Sequence, residues 1–224
     1  MYKALIFDLD GTLLDTLGDI RSAINGALKE CGYSYEFSLK EAQSLIGDGA
    51  DALVKRALKD KGDDPEAFLK LKAAYMPLYK EYQNLHTKAY NGLPETLKFL
   101  AERGLKLFVV TNKPDALAKA IVAAHYGKET FVSVLGHLEG EPVKPNPISV
   151  LKILEGNDLA REDCLYVGDS ITDVETAKNA GMDMALVTWG YGFYKPSLLL
   201  QATFVVKKPK SLAQIAIFSR QIGS

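Results

Sequence analysis

Two aspartates spaced two residues apart follow a short apolar run near the start of the chain. Residues 4–12 read ALIFDLDGT, in which Asp8 and Asp10 come directly after Ala4–Phe7. The apolar run has the length and composition of a short buried strand, and side chains two apart along a strand point the same way. Two carboxylates that converge at a strand end repel each other, and a divalent cation or a shared proton relieves the repulsion. The alternative is a strand followed by an Asp-rich turn, since Asp-Gly is a common turn pair.

Three further polar clusters lie at or near the ends of later predicted strands. They are Thr111-Asn112-Lys113 after Leu105–Val110, Lys144 within residues 143–147, and the segment from Gly168-Asp169 to Asp173 after Leu165–Val167. Because the carboxyl ends of parallel strands meet at one edge of a sheet, we expect these groups around one crevice. Each cluster also has a structural alternative: Thr111-Asn112 as a helix N-cap pair, Lys144 as a surface lysine, and residues 168–173 as a helix start.

This set of groups predicts phosphoryl chemistry with an aspartate nucleophile. Asp8 is expected to attack phosphorus and form an aspartyl phosphate. A cation such as Mg²⁺, with Asp169 as a second carboxylate ligand, keeps Asp8 ionised and neutralises phosphate oxygens. Asp10 is placed to protonate the leaving oxygen and later to deprotonate the attacking water. Thr111 and Lys144 are expected to bind the non-reacting oxygens, assisted by neighbouring backbone N–H groups.

The order of the predicted elements is that of an α/β protein. Residues 15–87 show only helical periodicity, with helices predicted at 15–29, 39–45, 50–60 and 66–85. Pro77 is expected to kink or split the last of these helices. From residue 91 helices alternate with strands, which are predicted at 105–110, 131–135, 165–167, 184–187 and 204–206. The pattern predicts a doubly wound parallel sheet with an all-helical insert after the first strand.

Composition excludes several classes of protein. The 224 residues carry a formal net charge of −1 at pH 7, and the pI is about 6.3, which argues against a nucleic-acid binder driven by charge. No signal peptide is seen, and no stretch approaches the ~18–20 apolar residues of a membrane span. Cys31 and Cys164 lie far apart in sequence and form no ligand pattern. We therefore expect a cytoplasmic protein that acts on a small phosphorylated metabolite, without nucleic-acid or membrane partners, as a monomer or a homodimer.

The four clusters resemble the four motifs of the haloacid dehalogenase superfamily. The matching residues are Asp8-x-Asp10-Gly11-Thr12, Thr111, Lys144-Pro145 and Gly168-Asp169-x-x-x-Asp173. The resemblance implies a Rossmann-like core of residues 1–14 and 88–224, and a helical cap of residues 15–87 that closes over the substrate. It also implies Asp8 as nucleophile, Asp10 as general acid and base, and Mg²⁺ held by the Asp8 carboxylate, the Asp10 carbonyl and Asp169. Asp173 is implied as a residue behind these ligands or as an alternate ligand.

Finer features resemble the phosphoglycolate phosphatases within this superfamily. They are Gly92-Leu93-Pro94, Thr111-Asn112-Lys113-Pro114 and Ile46-Gly47-Asp48-Gly49-Ala50. Thr12 and Asn112 are assigned to substrate binding, since backbone N–H groups at Asn112 and around Asp10 can help to bind the phosphate oxygens. The segment from Gly47 to Gly49 precedes a helix and offers backbone N–H groups to an anion such as a carboxylate, with Arg56 assisting. The alternatives are a helix-to-helix turn at Gly47–Gly49 and a surface role for Arg56.

Four functions follow from these patterns. The first is a Mg²⁺-dependent phosphatase for a small phosphomonoester, with 2-phosphoglycolate as leading candidate. A β-phosphoglucomutase-type phosphotransferase or a pyrophosphatase shares the same core and stays open. A dehalogenase is disfavoured because enzymes of that type lack the second aspartate, here Asp10. A signalling receiver module is disfavoured because it has no place for a helical insert after the first strand.

Overall fold

Parallel strands form the centre of the computed structural model, which describes residues 1–218. In chain order these strands are β1 (Ala4–Phe7), β2 (Leu14–Asp15), β3 (Lys88–Ala89), β4 (Lys106–Pro114), β5 (Ser133–His137), β6 (Cys164–Gly168), β7 (Asp183–Val187) and β8 (Phe204–Val206). Within the described residues, six of them form one sheet in the order β5-β4-β1-β6-β7-β8, and β2 pairs with β3 separately. All neighbours in the larger sheet run parallel, so their carboxyl ends lie at one edge.

The helices divide between two units of the chain. In chain order they are α1 (Leu17–Glu30), α2 (Leu39–Gln43), α3 (Gly49–Ala57), α4 (Pro65–Tyr82), α5 (Leu93–Glu102), α6 (Asp115–Tyr126), α7 (Ile148–Gly156), α8 (Ile171–Ala180), α9 (Pro196–Leu199) and α10 (Pro209–Phe218). One unit comprises Met1–Leu14 and the chain from Ala89 onwards, and the other comprises Asp15–Lys88, which holds α1 to α4. A role of the second unit as a cap stays a prediction.

The six-stranded sheet is buried on both faces. Leu5 and Phe7 belong to one apolar cluster, whereas Ala4 and Ile6 belong to another. Since successive side chains of a strand point to opposite faces, the two clusters lie on opposite sides of the sheet. The continuous apolar run of β1 is therefore the pattern of a central strand covered by helices on both sides.

The register of the central strands places the polar clusters side by side. Phe7, the last residue of β1, lies opposite Val109 of β4 and Val167 of β6. The backbone N–H of Asp8 continues this ladder by donating to the carbonyl of Val167 over 2.8 Å. The residues that come directly after these three aligned positions therefore lie side by side at one edge of the sheet.

The predicted split of the last helix of the second unit at Pro77 is wrong. Helix α4 runs without interruption from Pro65 to Tyr82, so Pro77 does not split it. Tyr75 and Tyr79 lie two residues before and two residues after the proline, are buried, and stack with their ring centroids 5.3 Å apart. This packing holds the helix together across the hydrogen bond that proline removes.

Strand β4 is longer than predicted. The apolar run ends at Val110, and the strand was expected to end at Thr111, but it continues to Pro114 with a register shift between Val110 and Pro114. The short helix α9 lies in a stretch for which the sequence predicted no element. None of the helices within residues 1–218 combines the length and the apolar character that crossing a bilayer requires.

A buried carboxylate ties the two ends of the second unit together. Asp19 in the first turn of α1 is fully buried. Its carboxylate accepts hydrogen bonds from the backbone N–H of His86 at 2.8 Å and from the N–H and hydroxyl of Thr87 at 3.0 and 2.7 Å. Asp19 belongs to none of the four polar clusters that the sequence analysis singled out. Its contacts span 67 and 68 positions and close the unit where it begins and ends.

Candidate active site

Three carboxylates converge beyond the ends of β1 and β6. Asp8, Asp169 and Asp173 are buried, and each offers an oxygen atom within 4.8 Å of the others. Gly11 allows this approach because its backbone has φ +88°, and a β-carbon there would collide with the Asp169 carboxylate. The structure therefore brings together three of the predicted site residues in one buried acidic cluster.

Hydrogen bonds from both sides fix the orientation of Asp169. The hydroxyl of Thr12 donates to Oδ1 over 3.0 Å, and the backbone N–H of Tyr191 donates to Oδ2 over 2.6 Å. In the structure the Thr12 hydroxyl orients Asp169, and the predicted role of Thr12 in substrate binding stays a prediction. The loop that contains Tyr191 contributes to the site through its backbone.

Asp173 belongs both to the acidic cluster and to the start of helix α8. Its Oδ2 accepts from the N–H of Asp169 at 3.2 Å and from the N–H and hydroxyl of Ser170 at 3.0 and 2.6 Å. Ser170 and Asp173 form a capping box, which confirms the helix-start interpretation of residues 168–173. The other oxygen, Oδ1, accepts from the Lys144 ammonium at 2.7 Å and from the Tyr166 hydroxyl at 3.4 Å.

The ammonium group of Lys144 bridges two of the three carboxylates. Its Nζ lies 2.7 Å from Oδ1 of Asp8 and 2.7 Å from Oδ1 of Asp173. The Lys144 side chain is only 5% exposed, so the interpretation as a surface lysine is wrong. The Asn112 side chain anchors the backbone of this lysine. Its amide oxygen accepts from the Lys144 backbone N–H at 2.7 Å, and its amide nitrogen donates to the Lys144 carbonyl at 3.2 Å. The Asn112 side chain thus positions Lys144, and a role of Asn112 in substrate binding stays a prediction.

Thr111 lies on strand β4 and does not cap a helix. The strand continues to Pro114, which is the N-cap residue of α6, so the N-cap interpretation of Thr111-Asn112 is wrong. The Thr111 hydroxyl accepts a hydrogen bond from the N–H of Lys113 over 3.2 Å. Asp10 forms an ion pair with the buried ammonium of Lys113, with the shortest N–O distance at 3.1 Å.

Burial and mutual repulsion govern the electrostatics of the cluster. Burial raises the pKa of Asp8 to about 7, a shift that Asp173 increases and that the Lys144 ammonium opposes. Burial, with Asp173 and Asp8, also raises the pKa of Asp169 well above its usual range. Burial alone lowers the pKa of Lys144, but the Asp173 and Asp8 carboxylates outweigh it and raise that pKa overall. The cluster in this form therefore resists carrying all of its negative charge at neutral pH.

A family model for haloacid dehalogenase-like hydrolases matches residues 5–187. The chain belongs to the haloacid dehalogenase-like hydrolases. This hydrolase is 34% identical over 222 residues to a phosphoglycolate phosphatase of Vibrio vulnificus (strain YJ016), covering 97% of each chain. It is 38% identical to one from Nitrosospira multiformis, covering 84% of each. The crystal structure of a predicted phosphoglycolate phosphatase from Haemophilus somnus superposes with a TM-score of 0.87 at 29% identity, covering 96% of this chain and 97% of that one.

These similarities confirm the family that the four motifs indicated. They also confirm the α/β fold with a parallel sheet and the class of enzyme, a phosphatase. The dehalogenase and receiver-module interpretations are not needed to explain any part of the chain.

The donor set of the hydrolase suits a hard divalent cation. Asp8, Asp169 and Asp173 offer only oxygen ligands, which Mg²⁺ prefers. Counting Asp10, four carboxylates face the two ammonium groups of Lys113 and Lys144. When the four carboxylates and the two ammonium groups are all ionised, two negative charges stay uncompensated. One divalent cation balances them.

The remaining predicted site residues lie in the second unit. Helix α3 begins at Gly49, and Gly47 has φ +121°. The Arg56 guanidinium donates to the carbonyl of Leu45 over 3.1 Å and pairs with the carboxylate of Asp48. Arg56 is partly exposed, so its role in substrate binding stays a prediction.

Sequence reasoning missed three contributors to the site of this hydrolase. Lys113 pairs with Asp10, the Tyr166 hydroxyl lies 3.4 Å from Asp173 Oδ1, and Tyr191 holds Asp169. The Trp189 indole also donates to the carbonyl of Thr12 over 3.1 Å. The available signal was the run of aromatic residues and glycines from 188 to 194, which marks a loop that approaches other backbone closely.

Proposed function

We propose that this phosphatase hydrolyses a small phosphomonoester through a phosphorylated Asp8, with 2-phosphoglycolate as the leading substrate. The substrate is supported by relatives named phosphoglycolate phosphatase that match almost the whole chain. The mechanism is supported above all by one observation, the buried Lys144 ammonium within 2.7 Å of Asp8. A carboxylate held beside a cationic group and next to further acidic residues fits a nucleophile that works on an anionic phosphate.

Two aspartates divide the chemical work in this proposal. An Asp8 oxygen bonds to phosphorus as the bond to the leaving oxygen breaks, and Asp10 delivers a proton to that oxygen. Water then attacks the phosphorus of the aspartyl phosphate, Asp10 takes up the water proton, and inorganic phosphate leaves with Asp8 restored. Lys144 and Thr111 bind the non-reacting oxygens, where charge accumulates in the transition state.

The cofactor in this proposal is Mg²⁺, held by the Asp8 carboxylate, the Asp10 carbonyl and Asp169. When bound, the cation neutralises phosphate oxygens and keeps Asp8 ionised. Asp173 lies behind the metal ligands in this proposal, because one of its oxygens binds Lys144 and the other accepts hydrogen bonds at the start of α8. Gly47, Gly49 and Arg56 are proposed to recognise the substrate carboxylate, in a cytoplasmic setting with free cysteines.

The decisive assay measures phosphate release from a panel of phosphomonoesters, with Mg²⁺ and with EDTA. We expect Mg²⁺-dependent release that is fastest with 2-phosphoglycolate and that Asp8→Asn abolishes. Asp51→Asn, which changes an exposed carboxylate of the second unit, is the matched control. Full activity of Asp8→Asn contradicts the nucleophile assignment, and an isomerised sugar phosphate or rapid pyrophosphate cleavage contradicts the substrate class.

The proposed carboxylate recognition has its own test. Ethyl phosphate carries a methyl group where 2-phosphoglycolate carries its carboxylate. Arg56→Ala is expected to lower the preference for 2-phosphoglycolate over ethyl phosphate by about tenfold, the scale of one charge-assisted hydrogen bond. An unchanged preference removes Arg56 from the substrate-binding residues.

A further inference from the structure

A second buried ammonium group lies at the site and has no role in the mechanism above. The side chain of Lys113 is only 1% exposed, and its Nζ lies 3.1 and 3.4 Å from the two carboxylate oxygens of Asp10. The Asp10 side chain is itself 15% exposed. One buried cation thus faces both oxygens of the aspartate that is proposed to move the proton.

The fold gives Lys113 a fixed place relative to Asp10. Lys113 lies two positions after Thr111 on β4, which pairs directly with β1. Its backbone N–H donates to the Thr111 hydroxyl over 3.2 Å. The following residues Pro114 and Asp115 end the strand and begin α6. The lysine therefore reaches Asp10 from a rigid element, which is the arrangement that precise placement of a functional group requires.

Stability alone gives no reason for a charged group at this position. Burial of an ammonium group costs several kcal/mol, and the attraction to its partner on average does no more than offset this cost. An apolar side chain of similar length fills the same space without that penalty. The geometry therefore calls for a role in which the charge acts on Asp10.

We propose that Lys113 is a positioning residue that holds the Asp10 carboxyl group in line with the leaving oxygen of the substrate. This inference rests on the proposed function. In the first step the bond between phosphorus and the leaving oxygen breaks, that oxygen keeps the electron pair, and Asp10 supplies the proton that turns it into an alcohol. A carboxyl group free to rotate supplies this proton less often, because the correct geometry is no longer held in advance.

The leaving group tells this role apart from a structural one. The alkoxide of 2-phosphoglycolate is strongly basic and needs a proton as it departs, whereas p-nitrophenolate departs without one. The ratio kcat/KM reports only the steps up to the first irreversible one, here the departure of the leaving group. A positioning defect at Asp10 therefore lowers kcat/KM for the alkyl ester and leaves that for the aryl ester nearly intact.

The experiment compares Lys113→Met and Lys113→Arg with the wild-type enzyme on 2-phosphoglycolate and p-nitrophenyl phosphate in saturating Mg²⁺. For Lys113→Met we expect kcat/KM to fall about 10–100-fold on 2-phosphoglycolate, less than the roughly 10²–10⁴-fold of complete general acid catalysis, and by less than about threefold on the aryl ester. Lys113→Arg keeps the charge and is expected to restore part of the loss. The control is Lys119→Met, which removes an exposed ion pair with Asp115 on the adjacent helix.

Each outcome decides the inference. An equal loss on both esters, or no loss on either, overturns the positioning role. If Lys113→Met does not fold, Lys113→Arg takes its place: a loss confined to the alkyl ester supports the role, and any other result overturns it. Asp8→Asn separates the two proposals, because failure of the proposed function leaves Asp8→Asn active on both esters, whatever Lys113 does.

Discussion

Replacement of the proposed nucleophile by its neutral amide is expected to stabilise the metal-free protein at neutral pH. Asp8 is buried, and the pKa of its carboxyl group rises from 3.8 to about 7 because burial penalises the charged form. Asp8→Asn keeps the size and shape of the side chain and removes the charge. The amide oxygen can still accept from Lys144, which also retains its partner Asp173.

The sign of the effect follows from proton binding. Between pH 4 and pH 7 the folded state holds the Asp8 proton and the unfolded state has lost it, so stability falls as pH rises through this window. A shift of about three pKa units corresponds to roughly 4 kcal/mol at most. Because Lys144 and the other carboxylates share the charge, we expect about 2–4 kcal/mol, or about 5–10 °C in midpoint temperature for a chain of this length.

The assay is thermal unfolding in EDTA at half-unit steps from pH 5 to pH 8, for the wild-type protein, Asp8→Asn and the control Asp51→Asn. The midpoint of Asp8→Asn minus that of wild type is expected to grow with pH, and Asp51→Asn is expected to follow wild type. Added Mg²⁺ is expected to reverse the order at pH 8, since it stabilises the ionised carboxylate. A higher midpoint temperature for the wild-type protein than for Asp8→Asn at pH 8 in EDTA refutes the reasoning.

Three other substitutions test separate parts of the structure. Asp19→Asn presents an amide to three hydrogen-bond donors and is expected to cost about 2–4 kcal/mol in urea unfolding, with kcat little changed. Gly168→Ala drives a β-carbon into the Asp173 carboxylate, and both the unfolding midpoint and kcat are expected to fall, by about 1–3 kcal/mol in stability. Lys144→Met leaves Asp8 and Asp173 facing each other without a cation, so it is expected to lower kcat by at least about 100-fold, and added Mg²⁺ is expected to stabilise it more than wild type.

Elements with a sharp boundary between apolar and polar residues could be predicted from the sequence to the residue. Strands β1 and β8 have the predicted bounds. Edge strand β5 was predicted at 131–135 and lies at Ser133–His137. Phe131 is buried in the core but lies outside the strand, because apolar character marks burial and carries no information on which residues pair.

The site residues that the sequence predicted most directly lie next to a strand end, where local pattern and function coincide. Asp8 and Asp169 are of this kind. The Lys113 contact joins residues 103 positions apart, and the bond from Tyr191 to Asp169 spans 22. Thr12 and Asn112 have the predicted neighbourhood, but their side chains hold Asp169 and Lys144. The residue type determines which contacts a side chain can make. The fold determines which group it contacts.

Glycine residues around the acidic cluster let the backbone approach its carboxylates closely, and this links the glycines in the sequence to the chemistry of the site. A β-carbon at Gly11 or Gly190 would collide with the Asp169 carboxylate, and one at Gly168 with that of Asp173. Backbone N–H groups then reach these oxygens, as the bonds to both aspartates show. Each such bond favours the ionised form, and burial opposes it. In the acidic cluster these two opposing effects are therefore close in size, so a bound divalent cation favours the ionised form. A more exposed cluster would be ionised without a cation.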